Sequence, residues 1–474
     1  MISGVYLRHD CSWGIIVIEY QTAKAILRQL RTRQMVPIFV SFFAGIIPIL
    51  GHGMAYADTH PVINISAEKG GDLTLRQALQ QVLQNNPELI AFSREVAAYE
   101  GTKLQAGLLK NPEFSVGAES IDSSNPNIER FTTFRISQLI ELGGKRSARV
   151  NVATLGQELA DQAYAAKRLE VVARTANVFI DVLENQVHVS VMDDTLRLMQ
   201  KAMKTVVKRV EAGKAPPIEA TRSKVALSAA SIELEQGRRN LSASRAKLAL
   251  LWGEVEPRFG QALGELESFV EIPEFDQLIK RLEENPIMLQ SLKNIAQREA
   301  IVELQKANKI PDVTVGAGIQ RYFSLDKTTA VLDISIPIPI FDRNQGNELE
   351  ARQRLNKAMD ERASVELQLR TEFARNYENL LAARNEIQVL HDEVLPGAQN
   401  AFEITNRGYQ LGKFSFLEML DAQRAFFQNR ILYVRALASY QRLVNIIEQL
   451  IAAPLADSAA DYTRLNTQGK ERNQ

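Results

Sequence analysis

Glu418 and Asp421 stand three residues apart in a helix-patterned segment. That spacing puts two carboxylates on one helical face, where they attract cations; taken alone, such a pair most often marks a solvated face. Gly143-Gly144-Lys145-Arg146 has the composition of a phosphate-binding loop but lacks the G-x-x-x-x-G-K-[ST] spacing that cradles phosphate. His188 and His391 lie deep in helical segments without serine, acid or metal-ligand partners at recognised spacings, so packing or surface roles suit them better than chemistry. The single cysteine, Cys11, forms neither an intrachain disulfide nor a thiolate zinc site. No catalytic, cofactor-binding or metal-ligating set emerges, and the chain reads as a non-enzyme.

The 474 residues carry 56 basic and 56 acidic side chains with no long basic run. Nucleic acid is therefore not an expected partner, because displacing phosphate counterions needs clustered Lys and Arg. Lys24, Arg28, Arg31 and Arg33 precede an uncharged apolar stretch, Met35 to Leu50, and then Ala55-Tyr56-Ala57. This is the pattern of a secretory signal peptide with cleavage after Ala57. The apolar run is short of the roughly 20 residues a spanning helix needs. Residues 1–57 are read as a leader, with 1–23 a misassigned start, and 58–71 as a flexible mature N-terminus. Cleavage would remove Cys11 and leave a slightly acidic chain.

The mature chain is duplicated at a period near 199 residues, the scale of a whole domain half. Asn86-Pro87 recurs as Asn285-Pro286, Val116-Gly117-Ala118 as Val315-Gly316-Ala317, Gly213-Lys214 as Gly412-Lys413, and Glu219 as Glu418. Each half, 72–253 and 275–453, reads as helix-helix-strand-strand-helix-helix, with an equatorial linker at 254–274 and a disordered tail at 454–474. From about Lys145 to Ala212 there is no proline, and Leu169, Ala173, Ala176, Ile180, Leu183, Val187 and Val191 recur at threes and fours. This is a long helix with a narrow, coiled-coil seam, about 100 Å long at ~1.5 Å per residue. Its counterpart, from about Asn347 to Leu411, should kink at Pro396-Gly397. Leu437, Tyr440, Val444, Ile447 and Ile451 mark the seam of the returning helix.

The strands alternate with period two. Phe114, Val116 and Ala118 share one face, as do Phe134, Ile136 and Ile140; Val313, Val315, Ala317 and Ile319; and Ala330 through Ile340 at every second position. Runs of about ten residues with one apolar face suit a tilted membrane strand. Four strands cannot close a barrel, and lipid does not tolerate an open edge, so closure must come from other copies. Eight or twelve strands would result from two or three copies; the long helices favour the larger ring. The loops Ser123 to Asn127 and Ser324 to Lys327 would be outward-facing hairpin tips.

The duplicated layout resembles the TolC-like outer-membrane efflux family. The segment Gln138 to Arg146 leaving the second strand, and Ile336 to Gly346 in the matching place, carry the likeness, which covers about residues 72 to 453. The Glu141-Leu142-Gly143-Gly144-Lys145-Arg146 wording is most similar to the heavy-metal cation (CzcC-like) branch of resistance-nodulation-division pumps. The resemblance implies a mainly α fold with a small β part. In it, a homotrimer forms a 12-stranded barrel in the outer membrane of a Gram-negative bacterium, continued by a periplasmic helical barrel. It further implies a passive duct for heavy-metal cations without a cofactor, joined by a periplasmic adaptor to a proton-driven inner-membrane pump. A drug, solvent or type I secretion exit is the alternative within the family; a periplasmic coiled-coil adaptor or scaffold is the alternative outside it.

Gly213, Lys214, Gly412 and Lys413 then mark the periplasmic tips, where the family meets its adaptor. The segment Tyr409 to Ala422 resembles the family's entrance motif, with Glu418 and Asp421 on the two acidic positions that ring the closed mouth. Tyr409 matches a position that helps latch the tip. Phe414 stands where the best-known members carry a basic residue, so an apolar contact there is the alternative to a polar latch.

Overall fold

The computed structural model describes residues 71–120 and 129–455, all within one compact unit. The expected cleavage site after Ala57, the first hairpin tip and the tail beyond residue 455 lie outside the described residues.

The first repeat runs β1 (Leu73–Thr74), α1 (Leu75–Asn85), α2 (Pro87–Gly107), β2 (Glu113–Glu119), β3 (Phe131–Ile140), α3 (Lys145–Glu211) and α4 (Pro217–Leu250). A short β4 (Ala262–Leu263) leads into the second: α5 (Phe275–Lys280), α6 (Pro286–Ala307), β5 (Val313–Tyr322), β6 (Lys327–Ser335), α7 (Gln345–Val389), α8 (Leu395–Gln410) and α9 (Phe416–Ile451). The 67 residues of α3 form one uninterrupted helix. Between α7 and α8 a π-helical turn, Leu390–Val394, immediately precedes Pro396, where the sequence places a kink. A proline cannot donate to the carbonyl four residues back, and a wider π turn lets the helix continue past that lost bond.

The recurring Asn-Pro pairs have a physical role. Asn86 Oδ1 accepts from Leu89 N at 3.0 Å, while its Nδ2 donates to the Leu251 carbonyl at 2.7 Å, at the end of α4. Asn285 accepts from Ile287 N at 2.8 Å and donates to Leu450 O at 2.8 Å, near the end of α9. In each repeat the side chain caps the start of one helix and fastens it to the end of the last. Both asparagines are buried, and proline at the first helical position wastes no donor.

The main core lies where α1, α5, the end of α4 and the 254–274 segment meet α3, α7 and α9. Phe373, Leu380, Leu248, Tyr440 and Ile447 are fully buried there, and Phe275 packs its ring 5.3 Å from those of both Phe373 and Tyr377. Two features give the linker its course, and neither shows in the sequence pattern. One is the parallel pairing of β1 with β4; the other is Gln186, whose side-chain amide makes both hydrogen bonds to the Ala262 backbone, at 2.8 and 3.0 Å. Of the predicted α3 seam, Ala173, Ala176, Ile180, Leu183 and Val191 are buried, whereas Val187 is exposed.

The sheet is antiparallel in the order β2-β3-β5-β6, leaving β2 and β6 as free edges. Its register aligns Phe114, Ile136, Ala317 and Leu332 in one cross-strand row and Val116, Phe134, Ile319 and Ala330 in another. These rows share one face, so the apolar side chains of all four strands lie together; Leu332 is 83% exposed and Ile334 71%. The last strand is shorter than its alternation suggests. It ends at Ser335, and Ile336, Ile338 and Ile340 follow as exposed coil. Pro337 and Pro339 have no N–H to donate, and β6 has a pairing partner on only one side. Among the described residues no helix is long and apolar enough to cross a membrane.

Candidate functional site: the helical tips and the strand-to-helix junction

Gly213 and Gly412 close their helices with the same geometry. Gly213 N donates to Val210 O at 3.0 Å and Lys214 N to Arg209 O at 2.8 Å; Gly412 N donates to Tyr409 O at 3.0 Å and Lys413 N to Gly408 O at 2.8 Å. Both glycines take positive φ, +68° and +75°. This is the Schellman arrangement, whose left-handed residue is normally glycine because a Cβ is penalised there.

The two turns are bound to each other. Tyr409, buried at the end of α8, donates its hydroxyl to Glu219 Oε2 at 2.8 Å on the first turn of α4. Arg209, near the end of α3, lies 4.6 Å over the Tyr409 ring and donates to the carbonyls of Tyr409 and, at 3.1 Å, Gln410. A guanidinium from one hairpin thus caps the carbonyl end of the other hairpin's helix, where positive charge is favoured. Val206, Tyr409, Phe416, Met419 and Leu420 form a small apolar core beneath these bonds. Burial pushes the Tyr409 hydroxyl's pKa above the usual tyrosine range, and the bond to Glu219 adds to this, so the phenol remains a donor.

Glu418 and Asp421 are both exposed on the first turns of α9. Glu418 also has a structural partner: its Oε2 accepts from Ser415 N at 2.7 Å, and Ser415 Oγ accepts from Glu418 N at 3.3 Å. This capping box holds the Glu418 carboxyl below the ordinary glutamate range, chiefly through the Ser415 N–H. Phe414 folds back onto Gly408, where any β-carbon would collide with its ring. Its apolar contact lies within its own hairpin, while the hairpins are joined by the polar bonds of Tyr409 and Arg209 and by the apolar core around Val206. The segment 409–421 therefore brings together Tyr409, Gly412, Lys413, Phe414, Glu418 and Asp421, and Gly213 and Lys214 occupy the adjoining turn. Arg209 and the second function of Glu219 carry no local motif; only the repeat offset linking Glu219 to Glu418 hinted at the latter.

Gly143, Gly144, Lys145 and Arg146 lie at the other end of α3. Gly143 and Gly144 have φ of +68° and +72°, and a β-carbon on Gly143 would come within 2.8 Å of Ile310. Lys145 is buried, with Nζ 2.6 Å from Asp312 Oδ1, which also accepts from Leu142 N at 3.1 Å. Arg146 Nε donates to the Gly107 carbonyl at 2.6 Å. The group turns the chain from sheet to helix and ties it to the second repeat; its cations are occupied by protein. His188 is largely buried beside Glu184, and the His391 ring lies tilted, 6.0 Å from that of Tyr433. Among the described residues no cluster of His, Cys, Asp or Glu is arranged to hold a metal ion.

The outer membrane efflux protein family profile matches residues 78–254 and 278–453, one segment per repeat. The cobalt-zinc-cadmium resistance protein CzcC of Cupriavidus metallidurans is 34% identical over 384 residues, 81% of this chain and 91% of that protein. The nickel-cobalt-cadmium resistance protein NccC of Alcaligenes xylosoxydans xylosoxydans is 25% identical over 61% of this chain and 66% of its own length. Among solved structures, CusC superposes with a TM-score of 0.70 at 17% identity, covering 81% of this chain and 93% of CusC. VceC from Vibrio cholerae gives 0.66 at 18% identity, covering 81% and 97%. Matched in both of its repeats, the chain belongs to the outer membrane efflux protein family.

Proposed function

We propose that three copies of this chain form the exit duct of a tripartite efflux system for heavy-metal cations, with a 12-stranded barrel in the outer membrane and a helical tunnel in the periplasm. One observation carries the reading: a four-stranded sheet with a continuous apolar face and two unpaired edges, joined to helices of up to 67 residues. Lipid requires those edges to be paired, and β6 of one copy against β2 of the next satisfies both. The duct is passive. An inner-membrane pump of the resistance-nodulation-division type supplies the energy through a periplasmic adaptor that meets the tips at Gly213-Lys214 and Gly412-Lys413.

Metal cargo is supported by the names of the relatives, cobalt-zinc-cadmium and nickel-cobalt-cadmium resistance proteins. In the trimer, Glu418 and Asp421 contribute six carboxylates around the tunnel mouth, and Tyr409 with Glu219 and Arg209 latches each protomer's two hairpins together. Deleting the gene from its host and challenging with cobalt, zinc, cadmium and a panel of hydrophobic drugs tests the cargo. Metal sensitivity alone is expected, and drug sensitivity alone would assign the duct to drug efflux. Extraction tests the architecture: a detergent-requiring trimer from the outer-membrane fraction is expected, and a soluble monomer would refute it.

A further inference from the structure

Arg135 on β3 and Asp333 on β6 form an ion pair although β5 runs between their strands, with Nε 3.1 Å from Oδ1. Neither atom has an aligned hydrogen-bond partner, so the attraction is one of charge. The register explains how the contact spans a strand. Arg135 is paired with Gly318, and Asp333 with Gly316, so the two strand-β5 positions beneath the pair bear no side chain. A β-carbon at Gly316 would run into the Asp333 carboxylate, and one at Gly318 into the Phe134 carbonyl. The guanidinium and carboxylate lie across this glycine step on the face opposite the apolar rows. Both remain partly exposed, at 39% and 31% of their side-chain surface.

We propose that the Arg135–Asp333 pair is a charge-compensating layer on the inner wall of the barrel, and that it sets the duct's ion selectivity at this level. The inference rests on the barrel reading above, in which the polar face of the sheet lines the lumen. Three protomers would place three such pairs around one ring. Paired, each contributes a dipole close to the wall and no net charge of its own, so the charge at this level is left to Glu113, which lies in the Asp333 row on the same face. Unpaired, either partner leaves three like charges facing the lumen. The glycine step permits compensation without obstruction, because a long side chain laid over bare backbone does not project into the bore.

The test is the cation-to-anion permeability ratio of the reconstituted trimer in planar bilayers at low salt, where screening extends over ~30 Å at 0.01 M. Arg135→Gln should move the ratio toward cations and Asp333→Asn toward anions, each by on the order of two-fold or more. The double variant should return to the parental ratio, and Arg135→Lys, which keeps the charge, should stay near it. Unchanged ratios in both single variants, or a shift in the same direction, would overturn the proposal, as would Arg135→Lys behaving like Arg135→Gln. These outcomes are read on channels that conduct; absence of any channel from the parental protein would instead refute the duct reading itself.

Discussion

Tyr409 and Glu219, from opposite repeats, share a 2.8 Å hydrogen bond that fastens the second helical tip to the first. Glu219 is the repeat counterpart of Glu418, yet the two carboxylates do different work. Glu418 is held by Ser415 in a capping box, whereas the position before α4 that matches Ser415 is Pro216, which has neither a hydroxyl nor an N–H to offer. Without that partner, the Glu219 carboxylate is free to accept from Tyr409. One proline thus converts a duplicated helix cap into a bond between hairpins.

Tyr409→Phe removes the hydroxyl while keeping the ring under Arg209. The tip should lose about 1.5–3 kcal/mol of local stability, the worth of a hydrogen bond to a charged group. Hydrogen exchange over residues 206–220 and 402–420 should accelerate, and reconstituted channels should open more often. Unaltered exchange and gating would show that the bond does not restrain the tips.

Asp421→Asn and Ser415→Ala should separate charge from folding at the entrance. Asp421→Asn should weaken block of the channel by divalent cations without changing thermal stability. Ser415→Ala should cost about 1 kcal/mol through the lost cap and leave the block nearly intact. Adding Glu418→Gln to Asp421→Asn should deepen the loss of cation block; single-channel recordings identical to the parent's would remove both acids from the constriction.

Gly412→Val places a β-branched residue at positive φ, a conformation costing about 1–2 kcal/mol for a residue with a Cβ. Barrel insertion, scored by trimer yield in the outer-membrane fraction, should be preserved. With the adaptor docking at the tips as proposed, crosslinking to it should fall. An equal loss of both would point to general misfolding.

His188 supplies a pH dependence whose sign is fixed by its surroundings. Burial lowers its pKa from the usual 6.5, the Glu184 carboxylate opposes this and Arg435 reinforces it. The folded state therefore holds the proton less readily than the unfolded chain. The stability it confers is present above about pH 6.5 and is lost as the pH falls through the lower folded value. Thermal unfolding in detergent should show a falling midpoint from pH 7 to pH 5, and His188→Gln should flatten that slope; an equally steep slope in the variant would assign it to other groups.

The sequence by itself determined the duplication, the long helix beginning at Lys145, the apolar faces of the strands and the glycines at both tips. Each of these is a local periodicity, or a residue whose backbone preference acts where it stands, so a linear pattern carries it. The tertiary structure decided what the pattern could not: that Arg209 caps a helix from the other repeat, that Glu219 receives Tyr409 while its counterpart caps α9, and that Arg135 reaches Asp333 across two glycines. It also ended β6 at Ser335, because alternation continues through Pro337 and Pro339 while backbone pairing does not. Such contacts join residues up to about 200 positions apart, and their geometry exists only after packing and strand register have brought them within a hydrogen bond's reach.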